Sequence, residues 1–258
     1  MYNKYFTVEV KPTVPTVAAG QHAAFADGDV LFDWTSFDIP KGASKLVGVV
    51  MEVRSKGDAG ATVNKFPIDL LFAKSLVGST TGATPGLSDP VSLGTSNSAM
   101  TTSTIPTMIG HVEMAATGFA PSVDGTAICT TGRTPQDACN IVLEGVPESG
   151  TNVGYDKIWV GGLAKDAVDF TSLTQINNGT LDAASFTTNG TDPRLFLAVG
   201  DFVTATTTAD TAVSKALGTV KSMTATNITI EETTENAIVN DDFIYNRNPI
   251  KLILSFEK

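Results

Sequence analysis

Apolar residues recur at every second position along most of this chain, the spacing of strands that bury one face. Within residues 46–54, Val47, Val49, Met51 and Val53 fall on one face and Gly48, Val50, Glu52 and Arg54 on the other. Val30, Phe32 and Trp34 alternate just upstream, and Ile68, Leu70 and Phe72 form a further stripe. Ile158 and Val160 flank Trp159, while Leu252, Leu254 and Phe256 make a last alternating strand. The first strand-like run begins at Phe6, so both ends are expected to be built into the fold. No stretch of comparable length carries helical periodicity. The pattern therefore predicts an all-β fold, a jelly-roll-like β-sandwich over residues 1–192 with a small β-barrel near the C-terminus.

The barrel is placed at residues 193–249. There Leu195, Leu197 and Val199 resuming at Phe202-Val203, Leu217-Gly218-Thr219-Val220, Ile228 with Ile230, Ile238-Val239, and Phe243-Ile244-Tyr245 read as short strands separated by turn clusters. Five short strands at such intervals describe a small barrel or meander. Asn246-Arg247-Asn248-Pro249 breaks the pattern, and residues 250–258 read as a final strand returning to the sandwich. That would make the barrel an insertion. Residues 78–106 are rich in Gly, Ser, Thr and Pro and read as one long loop, able to act as an arm. Thr134-Pro135-Gln136-Asp137 predicts a single helical turn at most.

Composition narrows the class of partner. Hydrophobic residues make up 42% of the 258, enough for a real core. The net charge is −10, from 17 Lys and Arg against 27 Asp and Glu. An acidic exterior repels nucleic acid and anionic membranes, so neither is expected as a partner. The N-terminal residues have no apolar core of a secretory signal, and a chain made and kept in a cytoplasm, or already mature, is the expectation. Cys129 and Cys139 could close a small loop, although cytosolic synthesis favours free thiols.

Reactive chemistry is sparse. His111-Val112-Glu113 has a His-x-Glu spacing but lacks further zinc ligands, so it reads as a charged pair on one strand face. Asp27-Gly28-Asp29 and Asn240-Asp241-Asp242 could hold calcium, yet they match the needs of tight turns better. Trp34 and Trp159 lie in alternating runs and read as core residues. Asn-x-Thr sequons at Asn178, Asn189 and Asn227 are expected by chance in a Thr-rich chain. No phosphate-binding or nucleophile-elbow motif occurs, so no catalytic, cofactor or metal residues are assigned and an enzyme is not expected.

The turn Phe37-Asp38-Ile39-Pro40-Lys41-Gly42 into a Val-rich strand, the Thr/Ala/Gly-rich loops and the barrel-like tail over residues 195–245 together resemble virion structural proteins of tailed bacteriophages, in particular capsid decoration (cement) proteins. The resemblance is one of pattern. It implies a homotrimer on the capsid surface that clamps the major capsid protein, with no cofactor. Residues 78–106 and the extended segment at 11–15 would be the contacts with neighbouring subunits. The alternative is a tail- or fibre-associated protein that binds host-surface carbohydrate.

Overall fold

Eighteen strands run through the described residues. The computed structural model describes residues 4–14, 24–58, 60–74, 108–120, 126–129, 139–144, 146–147, 155–178, 183–207, 214–232 and 238–258. In order the strands are β1 (Tyr5–Val10), β2 (Ala24–Phe25), β3 (Val30–Pro40), β4 (Ser44–Arg54), β5 (Ile68–Ala73) and β6 (Met108–Met114). Next come β7 (Thr126–Cys129), β8 (Ile141–Leu143), β9 (Val146–Pro147), β10 (Tyr155–Ala164), β11 (Val168–Asp169) and β12 (Gln175–Asn178). The last six are β13 (Ser185–Asn189), β14 (Phe202–Thr206), β15 (Ser214–Met223), β16 (Asn227–Ile230), β17 (Phe243–Asn246) and β18 (Ile250–Glu257).

The main body is two five-stranded antiparallel sheets. One has the order β1-β18-β4, with β7 and β8 both on β4; the other runs β3-β10-β5-β6, with β9 beside β10. β7 pairs with Met51–Arg54 and β8 with Ser44–Leu46, so they act as one interrupted strand. The sandwich then has eight principal strands in a nested scheme. The first pairs with the last, the second with the seventh, the third with the sixth and the fourth with the fifth. A long antiparallel ribbon wrapped around a core produces this order, and it defines a jelly roll.

Alternation of side chains builds the core between the sheets. β18 alternates buried and half-buried residues along its whole length. Phe256 on β18 stacks on Phe6 of β1 with ring centroids 5.2 Å apart, and lies 6.3 Å from Phe37 of the opposing sheet. Phe37 meets Phe72 edge-on at 6.4 Å. Burying an aromatic of this size contributes about 1.5–3 kcal/mol. A separate apolar cluster of Val30, Trp34, Leu71, Ala73 and Leu163 has Trp159 and Met108 packed against it. The two tryptophans therefore sit in a satellite cluster and not in the central core.

Three register shifts correct the simple alternation. Leu46, not Val47, shares the inward face with Val49, Met51 and Val53, because the β18–β4 register slips between Ser255 and Phe256. In β3, Phe32 joins the central core while Val30 and Trp34 join the satellite cluster, because the pairing with β10 shifts on both sides of Gly162. A β-bulge moves every residue beyond it to the other face.

Strands β12 to β17 form a closed barrel in the order β12-β13-β16-β15-β14-β17. Closure removes exposed sheet edges. It has its own core, including Ile176, Phe186, Phe196, Val203, Ile228 and Ile244. The barrel is threaded between β10 and β18, strands seven and eight of the jelly roll. It opens at Gln175, upstream of the residue 193 expected from sequence, and takes in β12 and β13. No strand covers Leu195 to Val199; Pro193–Leu195 is a 3₁₀ turn capped by Asp192, whose side chain accepts from the Arg194 amide. Residues 78–106 and 134–137 lie outside the described residues.

Candidate functional site

The place where most polar side chains converge is the joint between barrel and jelly roll. Asn246-Arg247-Asn248-Pro249, which in sequence only breaks a pattern, is its hub. Asn248 accepts the Phe202 amide through Oδ1 at 2.8 Å, and its Nδ2 donates to the Pro12 carbonyl at 3.1 Å and to Thr13 Oγ1 at 3.3 Å. Val14 and Arg247 are paired twice. The Val14 amide donates to the Arg247 carbonyl at 2.8 Å, and Arg247 Nε donates to the Val14 carbonyl at 2.7 Å. Burial lowers the Arg247 guanidinium to about 10. Among the described residues no carboxylate forms an ion pair with it.

Asp201 is the second anchor, with a side chain only 3% exposed. One oxygen accepts the Ala198 amide at 2.8 Å and Asn246 Nδ2 at 3.0 Å, and the other faces Lys11 Nζ at 3.2 Å. A carboxylate so enclosed is stable only with such partners. The segment Lys11–Val14 is therefore bound to its own chain, with Pro12 and Val14 buried. The segment expected from sequence to lie along a neighbouring subunit is docked on its own chain and keeps Lys11 and Thr13 exposed; Pro15 lies outside the described residues.

A second set of bonds comes from the turn after β4. Ser55 Oγ donates to the Leu195 carbonyl at 3.1 Å, Thr174 Oγ1 to the Gly57 carbonyl at 2.7 Å, and Thr191 Oγ1 to the Asp58 carbonyl. Gly57 has φ of +60°, and a Cβ there would lie 2.7 Å from Ser172 Oγ and 3.1 Å from Phe196. Only glycine fits under the barrel at this point.

Beside the joint lies a cleft of about 150 Å³ lined by Glu9, Lys11, Glu52, Arg54, Asp201 and Lys251, together with Ala198, Asn248 and Pro249. Lys251 Nζ pairs with Glu52 Oε2 at 2.7 Å. Three carboxylates and three cations alternate here, so the lining is electrically balanced. Its chemistry is that of a salt-bridged seam joining two lobes.

The motifs singled out in sequence fall elsewhere. His111 Nε2 on β6 is 2.9 Å from Asp69 Oδ1 on β5, and Lys165 Nζ lies 3.4 Å from Asp69 and 3.8 Å from Glu113. His111 and Glu113 thus form one cross-strand charged patch, with the Lys165 ammonium as the cation between the two carboxylates. Asp29 Oδ2 accepts the Ala26 amide at 2.7 Å around Gly28, whose φ is 82°. Asp242 is buried against Lys215 at 2.8 Å, beside Asp241 with φ of 68°. Both acidic clusters are turns. Among the described residues no group of three or more His, Cys, Asp or Glu could hold a metal ion. Cys139 is a free, buried thiol, so no bridge to Cys129 is formed. Asn178 and Asn189 are exposed on the barrel, and Asn227 Oδ1 accepts Ser185 Oγ at 2.8 Å.

No family model matches the chain, and no curated protein matches it. Among solved structures it aligns with one of infectious bursal disease virus, Gx strain, at 9% identity and a TM-score of 0.21, over 99% of this chain and 41% of that one. It also aligns with dimeric latent PorU from Porphyromonas gingivalis at 10% identity and a TM-score of 0.12, over 98% of this chain and 20% of that one. The chain thus spans less than half of either. Superpositions this poor carry no argument.

Proposed function

We propose that this chain is a non-enzymatic virion structural protein that decorates a phage capsid and stabilises it by bridging capsid subunits, working as a homotrimer on the capsid surface. One observation carries the reading: a jelly roll and a closed barrel are held at fixed geometry in one chain by hydrogen bonds from both sides of the joint. Bridging requires two rigid lobes, since a flexible tether loses ordering entropy on binding. The buried carboxylates support it too, because Asp29, Asp201 and Asp242 each fasten a turn or the joint. Fold alone would not suffice, because jelly rolls host many functions.

A ligand that binds only the assembled shell stabilises it by mass action, adding about 1.4 kcal/mol per site for each tenfold excess over its dissociation constant. Purified chain added to capsids that lack it should co-sediment with them and raise their bursting temperature as its concentration rises. Mass measurement should give three copies per assembly. A second reading, binding of host-surface carbohydrate, has its own observation. The barrel carries a row of uncharged polar residues, Asn178, Thr187 and Asn227, across three strands. Failure to bind capsids together with binding to host cells would replace the first reading by the second.

A further inference from the structure

The two sets of bonds at the joint differ in kind. The set at Gly57 uses hydroxyl and backbone groups: the Gly57 carbonyl accepts Thr174 Oγ1 at 2.7 Å and the Leu173 amide at 3.3 Å, and the Asp58 carbonyl accepts Thr191 Oγ1. Thr174 and Thr191 are buried, and no side chain fits at Gly57. This contact is indifferent to salt. The set at residues 11–14 contains the Lys11–Asp201 ion pair, with the Lys11 side chain 36% exposed, and a guanidinium whose acceptor is a carbonyl. An ion pair with one solvent-facing partner is weakened by salt and by competing charges.

We infer that the segment Lys11–Val14 is a releasable latch, and that the Gly57 contact is the fixed pivot on which the barrel stays seated when the latch opens. In the latch Lys11 and Thr13 are exposed, while Pro12 and Val14 are buried and Val14 is the apolar contact with the jelly-roll core that opening must also break. It ties the end of β1 to the barrel through Asp201 and to the β17–β18 connection through Arg247 and Asn248. Opening it breaks the Val14–Arg247 pair and the Asn248 bonds to Pro12 and Thr13, but leaves the barrel core and the bonds at Gly57 untouched. With the latch closed the two lobes keep one geometry, the state in which they bridge; with it open the barrel adjusts its angle to a partner while remaining attached. This inference concerns the chain itself and does not depend on what the partner is.

Amide hydrogen exchange on the intact protein tests it residue by residue. The Val14 amide, bonded to the Arg247 carbonyl, reports on the latch, and the Phe202 amide, bonded to Asn248 Oδ1, reports on the β17–β18 connection that the latch leaves. Leu173, bonded to the Gly57 carbonyl, reports on the pivot, and Ile176, bonded to the Asp242 carbonyl, on the barrel. In Lys11→Ala, and in the wild type at high salt, Val14 should exchange about tenfold faster or more while Leu173 and Ile176 hold their rates. Arg247→Lys, which keeps the charge but removes the Nε donor, should give the same pattern and guards against misfolding of one variant. If Val14 is unmoved in both variants, or if all four amides accelerate together, there is no latch.

Discussion

Cys139 shows how placement decides the behaviour of a side chain. It is 4% exposed among apolar neighbours of the central core, and burial pushes its thiol from 9.0 up to about 11. Thiol reagents attack the thiolate, so Cys139 should resist alkylation at pH 8 in the folded protein and react fully once it is denatured. The same shift sets a pH dependence. Above pH 9.0 the unfolded chain releases the proton that the folded chain retains, so the contribution is fully present below 9.0 and falls as pH rises toward about 11. Replacing Cys139 by Ser, which does not titrate there, should flatten that part of the stability profile. An unchanged slope between those two pH values would rule out Cys139 as its source. Gly162 is a different case, fixed by space alone. A Cβ there would lie 2.4 Å from Phe32 Cε1, so the bulge and the packing of Phe32 require glycine together.

At the scale of elements, β18 holds the first sheet together because it lies between β1 and β4. Phe256 is fully buried where Phe6 and Phe37 meet it, whereas Phe6 sits on the edge strand and is only half-buried. Phe256→Ala should cost about 3–5 kcal/mol by the usual cavity penalty, and Phe6→Ala clearly less. Urea unfolding of both variants checks this, and equal losses would mean that β18 is not the central strand. Strands of this kind were legible in the sequence because one buried face leaves a two-residue period, kept throughout β18, from Val49 on in β4, and over part of β5 and β10. β12 and β13 were not, since each buries few large apolar residues, Ile176 and Phe186, amid Asn, Thr and Gln. A barrel closed around a small core needs few apolar residues per strand. The joint was invisible for another reason. Its bonds run between distant residues, 233 positions apart from Val14 to Arg247 and 117 from Gly57 to Thr174, and single polar residues carry no periodicity.

For the whole molecule, the decisive relation is between the two lobes. Phe170, Ser172, Asn246 and Pro249 line one small hollow, so the chain enters and leaves the barrel at neighbouring points. The barrel core is a cluster separate from that of the jelly roll, to which β17 adds Tyr245 with Phe243 packed against it. Residues 174–247 can therefore be replaced by a short Gly-Ser loop without pulling β10 and β18 apart. The shortened chain should still unfold cooperatively, with a smaller denaturant slope in proportion to the surface removed. Loss of the joint should lower its stability by several kcal/mol, at about 1 kcal/mol per hydrogen bond, with a further loss from the buried Tyr245. This variant also bears on bridging. If one lobe grips each of two neighbouring capsid subunits, the shortened chain should still attach to particles but no longer raise their bursting temperature. Attachment with undiminished stabilisation would show that the jelly roll alone spans the contact, and the barrel would then be free for another partner.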